Sequence, residues 1–321
     1  MSYIFEALQR AEAERTGVAN PLSAESVAEL LRKAEATEPN AERVGLVPPL
    51  PTLAGEKPAG GKQGPSPALT FAAATPLVPA LEAEARLVCL TDQGSLAAEQ
   101  FRVLGLKLRH LRERRKLQRI VITGTAPQEG KSLVATNLAL NQSRSKVLKT
   151  LLVDGDLRRP TLSERFGFER SLPGLSECLA GKLELEESVY KISGSGLWFL
   201  PAGRPPENPL ELMQAGHVAD ILDRLGRFFD WIIIDTPPVM PVADTAFWMK
   251  LADGVLMVVR EGVSEKKIIE KAVGSFDPSS VLGIVVNGCS SSERKDYYSR
   301  YGRPQSSGLS PSPEAGDTQG E

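Results

Sequence analysis

The chain has 321 residues, enough for one large α/β domain with further segments at its ends, and its formal net charge of −2 gives no overall attraction to nucleic acid. Its three cysteines, Cys89, Cys178 and Cys289, lie far apart without metal-ligand spacing, which argues against disulfides and a zinc site. There is no run of about 18 apolar residues and no signal-peptide pattern, so the sequence predicts a cytoplasmic protein without a membrane span of its own.

Residues 1–36 are predicted to form an N-terminal helical segment. Within it, residues 2–15 place apolar side chains at helical spacing between charged ones, and a second helical stretch covers 23–36. A helix this short is marginal alone, so it either docks on a partner or on the body of the protein, or it frays. Residues 37–85 are rich in Pro, Ala and Gly without periodicity and are predicted to be a disordered linker.

Order is predicted to resume at residue 86. The apolar run Arg86–Leu90 indicates a strand, and Ser95 stands where an N-cap would begin a long amphipathic helix. That helix carries the densest basic run of the chain, which is either a solvated face or a contact for an acidic neighbour or a phosphorylated tail. The run consists of Lys107, Arg109, Arg112, Arg114, Arg115, Lys116 and Arg119.

Residues 124–132, Gly-Thr-Ala-Pro-Gln-Glu-Gly-Lys-Ser, follow the strand pattern Ile120–Ile122 and precede a helical pattern. Backbone N–H groups converge in such a loop, which favours polyphosphate binding over an ordinary turn. Lys131 would reach the β- and γ-phosphates, and the Ser132 hydroxyl would be a magnesium ligand. The loop is a variant, because Thr125 stands where the usual pattern has its first glycine. The candidate nucleotide-binding residues are Gly124, Thr125, Pro127, Glu129, Gly130, Lys131, Ser132 and Leu133.

Two aspartates follow the next apolar run, Leu151–Val153. Asp154 and Asp156 are separated by one glycine, so both can face one magnesium ion or one attacking hydroxyl at the carboxyl edge of a parallel sheet. The alternative is that Asp154 begins a turn and Asp156 caps a helix. The phosphate-binding pattern upstream favours the chemical interpretation.

The continuous apolar run Trp231–Ile234 is typical of a strand buried on both faces. It ends in Asp235, a candidate carboxylate for magnesium opposite Ser132, directly or through water. Asp244 is predicted to be the N-cap of a helix over 245–251 rather than a ligand.

Further strands are predicted at Leu197–Leu200, Val255–Val259 and Leu282–Val286. Asn287 follows the last strand, and its amide either meets a purine edge or is a turn residue before Gly288.

The chain beyond this point is polar. Three of the five tyrosines of the whole chain nevertheless lie in it, within five residues of each other. Disordered segments are usually poor in aromatic residues, so these rings either dock on a surface or carry hydroxyls that are substrates. They are Tyr297, Tyr298 and Tyr301.

Together these features resemble the bacterial tyrosine kinases (BY-kinases) of capsule and exopolysaccharide synthesis. The resemblance covers residues 86–301 and rests on the tyrosine cluster and three motifs: Ala126–Ser132 as Walker A, Val153–Pro160 as Walker A′ and Ile232–Val239 as Walker B. It implies an α/β fold of the P-loop NTPase type, with a mostly parallel central sheet flanked by helices on both faces and related to partition and septum-site ATPases. The kinase domain would span 86–290 and the flexible tail 291–321.

The resemblance also implies ATP and Mg²⁺ as cofactors and autophosphorylation of the tail tyrosines. Lys131, Asp154, Asp156 and Asp235 would be catalytic, and Asp154 would take the proton of the incoming tyrosine. Magnesium would be held by Ser132, Asp156 and Asp235, and Asn287 would complete the nucleotide site.

The usual partner in this family is a membrane polysaccharide co-polymerase, which here would be a separate adaptor chain at the inner face of the cell membrane. The family assembles through a Glu-x-x-Arg-x-x-Arg pattern, which appears here as Glu99, Arg102 and Gly105. A homo-oligomer is expected, but the glycine in place of the second arginine puts a ring in doubt.

Two other functions are compatible with parts of the sequence. A partition-type ATPase switch would carry an additional lysine where this chain has Ala126, and it gives the tyrosines no role. A nucleotide-binding scaffold of a polysaccharide export system, without kinase activity, is favoured by Gly105 and the short tyrosine cluster. The intact set of Lys131 and the three aspartates argues against the scaffold.

Overall fold

The computed structural model describes residue 71 and residues 74–239 and 243–289. The predicted helical segment 1–36, most of the predicted linker and the tail 291–321 with its tyrosines lie outside the described residues, so the expectations about them stay predictions.

An eight-stranded sheet organises the described part of the chain. Its strands are β1 (Pro76–Leu77), β2 (Arg119–Gly124), β3 (Thr150–Asp154), β4 (Tyr190–Ile192), β5 (Leu197–Leu200), β6 (Trp231–Asp235), β7 (Gly254–Arg260) and β8 (Val281–Asn287). Their order in space is β1-β4-β5-β3-β6-β2-β7-β8. Neighbours are parallel except β4 and β5, which are antiparallel. The predicted mostly parallel sheet is confirmed.

Helices join the strands and cover the sheet. They are α1 (Val88–Thr91), α2 (Leu96–Arg114), α3 (Lys131–Gln142), α4 (Leu162–Arg165), α5 (Leu175–Leu179), α6 (Leu185–Ser188), α7 (Pro209–Ala215), α8 (Val218–Gly226), α9 (Ala243–Leu251) and α10 (Lys266–Val273), with 3-10 turns at Ala83–Ala85 and Pro278–Ser280. Helix α2 begins as predicted, because the Ser95 hydroxyl accepts the N–H of Ala98 at 3.2 Å.

The sheet separates two apolar cores. Ile232 and Ile234 of β6 pack in one core with residues of α8, α9 and α10, whereas Trp231 and Ile233 pack in the other with residues of α2 and α3. Successive residues of a strand point to opposite faces, and both faces of this sheet are covered. All four side chains are therefore fully buried. The continuous apolar run is therefore the consequence of burial on both faces, as predicted.

The predicted strand at Arg86–Leu90 is wrong, since Val88–Thr91 form the short helix α1. Leu87 and Cys89 are buried against α3. The Asn137 side chain of α3 accepts the N–H of Cys89 at 3.0 Å and donates to the carbonyl of Arg86 at 3.1 Å. A polar side chain thus satisfies the backbone here, and a short apolar run cannot by itself distinguish this arrangement from a strand.

The basic run at the end of α2 is partly used inside the domain. Arg112 and Arg119 lie 3.5 and 2.5 Å from the carboxylates of Asp230 and Asp223. Arg115 donates to two backbone carbonyl oxygens, at 2.6 and 3.3 Å. For these three arginines the contacts favour a structural role over docking of an acidic partner.

Candidate active site

Parallel strands bring their carboxyl ends to one edge of the sheet, and the predicted site residues follow those ends. Asp154 of β3 lies opposite Asp235 of β6, and Asp235 lies opposite Ile122 of β2. The ends of β7 and β8 are paired at Arg260 and Asn287.

The phosphate loop, residues 125–130, connects β2 to α3. Gly130 has a φ of 95° and precedes Lys131, the first residue of α3. The first N–H groups of a helix have no acceptor within it, so they are available to an anion. The Lys131 ammonium group donates to the carbonyl of Ala126 at 2.7 Å, and burial lowers its pKa. The loop thus leads into the N-terminus of α3, and the Lys131 side chain lies against the loop backbone.

Glu129 turns its side chain into the loop rather than toward a ligand. Its Oε2 accepts the N–H groups of Thr125 and Ala126 at 2.7 and 3.0 Å, and its Oε1 accepts the Thr125 hydroxyl at 2.5 Å. The carboxylate is fully buried. Two residues predicted to bind nucleotide, Thr125 and Glu129, therefore shape the loop from inside, and the donors left for a ligand are those at the start of α3.

The remaining predicted loop residues occupy three different environments. Gly124 is buried, and a Cβ there would come closer than 3.0 Å to the carbonyl of Val258. Pro127 is exposed on the loop. Leu133 is half-buried in the first turn of α3, where its carbonyl accepts the Asn137 amide at 3.0 Å.

Asp235 is the most unusual carboxylate of the site. It is 2% exposed, and its Oδ1 is buried without a hydrogen-bond partner among the described residues. The Ser132 hydroxyl bonds to the same carboxylate. Burial raises the pKa of Asp235 to about 7 despite that bond and the nearby Lys131 charge.

The two aspartates after β3 have different environments. Asp154 is fully buried, and its carboxylate accepts the N–H groups of Asp156 at 3.3 Å and Leu162 at 3.1 Å. Burial, followed by the charge of Asp235, raises its pKa well above the usual value. Asp156 is half-buried and accepts the N–H of Arg159 at 2.9 Å, and burial raises its pKa as well. Both aspartates thus shape the turn between β3 and α4.

This arrangement fits a magnesium-bound nucleotide. A buried carboxylate oxygen without a partner, such as Oδ1 of Asp235, is costly unless a cation meets it. Magnesium usually takes one or two carboxylates and completes its shell with phosphate oxygens and water. Among the described residues, no group of three or more acidic, histidine or cysteine side chains could hold a metal ion.

The strand that leads to the tail also supports the phosphate loop. The Asn287 amide donates to the carbonyl of Glu129 at 2.9 Å, and a Cβ at Gly130 would collide with that amide. Arg260 donates to the carbonyl of Gln128 at 3.2 Å. The Asn287 nitrogen is thus engaged by the loop, which leaves the amide oxygen for a purine edge.

The predicted N-cap role of Asp244 is wrong. Asp244 lies inside the first turn of α9, and its carboxylate accepts two hydrogen bonds from Arg158, at 2.5 and 3.0 Å. This pair ties the segment after β3 to α9. The partners are 86 residues apart, so a local capping pattern could not reveal the contact.

Three contributors to the site carry no motif in the sequence. The charge of Arg165 lowers the pKa of Asp235, although burial outweighs it. The Thr161 hydroxyl donates to that of Ser132 at 3.3 Å, and the Ser264 hydroxyl donates to the buried loop carboxylate. Each lies in or beside a loop and reaches the site only through the fold, so residue spacing gives no signal for it.

Known proteins are similar to this chain in sequence and in fold. The chain is 32% identical over 213 residues to the tyrosine-protein kinase YwqD of Bacillus subtilis (strain 168), and the match covers 66% of this chain and 89% of YwqD. The chimerical protein CapA2B2 has a similar structure, with a TM-score of 0.61, 30% identity and coverage of 66% of this chain and 92% of that one. The kinase domain of the Escherichia coli tyrosine kinase ETK gives a TM-score of 0.59 at 28% identity, covering 64% and 82%. No protein-family model matches the chain.

The matches to YwqD, CapA2B2 and the ETK kinase domain each cover about two thirds of this chain. Of the helices that the structure describes, none is both long and apolar enough to cross a bilayer. The match to YwqD includes most of that kinase, at 32% identity. From this coverage and from the shared kinase-domain fold, we conclude that the chain belongs to the bacterial tyrosine kinases (BY-kinases) of capsule and exopolysaccharide synthesis.

Proposed function

We propose that this kinase transfers the γ-phosphoryl group of ATP to tyrosines of its own C-terminal tail, Tyr297, Tyr298 and Tyr301. The proposal rests on the position at which β8 ends. Its last residue, Asn287, bonds to the phosphate loop, so the chain leaves the described domain beside the nucleotide site. Tyr297 follows ten residues later, and an extended segment of that length spans at most about 36 Å. This length supports Tyr297 as an acceptor, either at this site or at the same site in another copy.

The nucleotide would be held by the start of α3 and by Lys131. Ser132, Asp156 and Asp235 would hold magnesium, and Asn287 would contact the purine. Magnesium ATP supplies the phosphoryl group, and the metal neutralises part of its charge. A partly buried ammonium group such as that of Lys131 acts on the phosphates at a lower effective dielectric than an exposed one would.

Asp154 would take the proton of the tyrosine. Its raised pKa supports this role, because a carboxylate of higher pKa is a stronger base toward a hydroxyl whose own pKa is about 10. Asp154 is enclosed in this structure, so the role requires the segment 155–161 to move as the tyrosine enters. Asp156, which is more exposed, is the better placed of the two for magnesium.

In the cell, the kinase would be cytoplasmic and would meet a membrane polysaccharide co-polymerase, a separate adaptor chain, at the inner face of the cell membrane. Each phosphate adds about −1.5 to −2 charges, so three would add roughly −5 to −6 to the tail. A change of that size alters how the tail meets neighbouring copies of the kinase. Polymerisation and export of the polysaccharide would be regulated through that change in assembly.

The test is the intact mass of the purified protein after incubation with ATP and magnesium. We expect gains of about 80 Da per phosphate in the parent protein. Lys131→Ala should gain nothing, because it lacks the phosphate-binding ammonium group. The triple variant Tyr297→Phe, Tyr298→Phe, Tyr301→Phe should gain nothing, because it lacks the acceptors. ATP binding by the triple variant, measured separately, controls for its folding.

Two results would contradict the proposal. A triple variant that gains as much mass as the parent protein would place the acceptors outside the cluster. A parent protein that binds ATP but gains no mass, even with the cytoplasmic segment of a candidate adaptor present, would argue against autophosphorylation.

A further inference from the structure

The turn after β7, residues 260–264, is fastened to the phosphate loop at two points. Arg260 donates to the carbonyl of Gln128 at 3.2 Å. The Ser264 hydroxyl donates to Oε1 of Glu129 at 2.5 Å and accepts the N–H of Arg260 at 2.9 Å. Ser264 is 2% exposed and Glu129 is fully buried. Water therefore has little access to the second of these contacts.

The Ser264 hydroxyl completes a set of four donors around the buried carboxylate of Glu129. The other three are the N–H groups of Thr125 and Ala126 and the Thr125 hydroxyl. An enclosed carboxylate depends on its donors, because water cannot replace one that is lost. Of the four donors, Ser264 alone comes from outside the phosphate loop. It ties the Glu129 side chain to the turn after β7, beside the backbone contacts that Arg260 and Asn287 make with the loop.

The loop also has a backbone that needs such a constraint. Gln128 has a φ of 64° and Gly130 a φ of 95°, on either side of Glu129. A residue with a side chain, such as Gln128, adopts this region only where its surroundings enforce it. Lys131 follows directly, so its position depends on the same turn.

We infer that Ser264 is a positioning residue for nucleotide binding, which acts through Glu129 to hold the phosphate loop in its binding conformation. Without the hydroxyl, the loop would populate other conformations, and the binding-competent fraction would fall. The apparent dissociation constant of the nucleotide rises as that fraction falls. Bound nucleotide orders the loop again, so the transfer step should be preserved. The inference concerns nucleotide binding and is independent of the choice of tail tyrosines as acceptors.

The experiment compares Ser264→Ala with Ser188→Ala in the full chain. Ser188 is a matched control, because it is also fully buried and its hydroxyl donates to a backbone carbonyl, that of Leu185, at 2.8 Å in α6. The readouts are the dissociation constant of a fluorescent ADP analogue with magnesium, the ATP dependence of phosphorylation, and the melting temperature without nucleotide. Ser264→Ala should bind the analogue roughly tenfold more weakly, since a hydrogen bond to an ionised group is lost. Its KM for ATP should rise similarly, with kcat within twofold of the parent value.

A double variant locates the effect. In a Glu129→Gln background the hydrogen bond to an ionised group is replaced by a weaker one to a neutral amide, so adding Ser264→Ala should weaken binding by clearly less than the roughly tenfold expected in the parent protein. Three results would overturn the inference: Ser264→Ala binds the analogue within threefold of the parent protein; Ser188→Ala weakens binding as much; or kcat falls at unchanged KM, as a smaller folded fraction would cause. If Glu129→Gln does not fold, the comparison of Ser264→Ala with Ser188→Ala still tests the inference.

Discussion

At the residue scale, the site depends on three aspartates that are difficult to ionise without a cation. Burial is the largest cause of the raised pKa of Asp154, Asp156 and Asp235. For Asp235 the pKa rises from 3.8 in the unfolded chain to about 7 in the folded one. The folded protein therefore binds a proton at Asp235 more tightly than the unfolded chain does. The stability of the folded protein consequently falls as the pH rises from about 4 to 7. Above pH 7 the penalty is fully present in the nucleotide-free protein.

Asp235→Asn should consequently stabilise the nucleotide-free protein at pH 8, and by only about a third as much at pH 5. The asparagine resembles the protonated aspartate, so it removes a penalty that reaches up to a few kcal/mol at pH 8 and is only partly developed at pH 5. For a domain of this size that corresponds to a rise of several degrees in melting temperature. The measurement is thermal unfolding of both proteins at the two pH values. Equal stabilisation at pH 5 and pH 8, or none at pH 8, would contradict the assignment of the raised pKa to Asp235.

The sequence identifies some of these residues and not others for a physical reason. Lys131, Ser132 and Asp235 stand at fixed offsets from strand patterns, and the parallel sheet then determines where they meet. The orientation of Glu129 depends on Ser264, which is 135 residues away. Loop side chains of this kind are set by contacts that no local pattern encodes.

At the element scale, α2 packs closely on α3 at Gly105, where the predicted assembly pattern would have its second arginine. A Cβ at Gly105 would come closer than 3.0 Å to the side chain of Asn141. The Gln142 amide donates to the Gly105 carbonyl at 3.1 Å. Arg102, the preceding member of the pattern, pairs with Glu99 on its own helix. The position expected to carry the second arginine therefore faces α3.

Gly105→Arg should lower stability rather than restore a subunit contact. An arginine cannot enter this packed crossing without displacing α3, and overpacking of this kind costs about 1–3 kcal/mol or more. We expect a melting temperature lower by about 5 °C or more. Leu106→Arg is the matched control, because that neighbour is 59% exposed and should tolerate arginine. Gly105→Arg melting at the same temperature as the control would show that the two helices do not pack at this point.

Six of the eight strands in the described part of the chain follow apolar runs that the sequence predicts as strands. Strands β2, β3, β5, β6, β7 and β8 coincide with predicted runs. Strands β1 and β4 are two and three residues long, and neither shows an apolar pattern that would predict a strand. The run at Arg86–Leu90 formed α1 instead, because the Asn137 side chain offered its backbone other partners.

At the scale of the whole molecule, the sheet brings the nucleotide-binding residues and the root of the tail to the same edge. Strands β2, β3 and β6 supply the phosphate loop and the aspartates, and β8 supplies Asn287. The same topology places Arg260 and Ser264 beside the loop. This convergence follows from the parallel sheet, so the order of the motifs was enough to predict which residues meet at this edge, whereas the predicted acceptor tyrosines lie outside the described residues.

The measurement that tests transfer between two copies of the kinase most directly mixes two variants that should each remain unphosphorylated alone. Lys131→Ala keeps the tail tyrosines but lacks the lysine proposed to bind the phosphates, whereas the chain with Tyr297, Tyr298 and Tyr301 changed to phenylalanine keeps the site but lacks the proposed acceptors. Incubated together with ATP and magnesium, Lys131→Ala should gain about 80 Da per phosphate, and the triple variant should gain nothing. Without any gain in the mixture, under conditions in which the parent protein is phosphorylated, transfer to the tail of another copy would be contradicted.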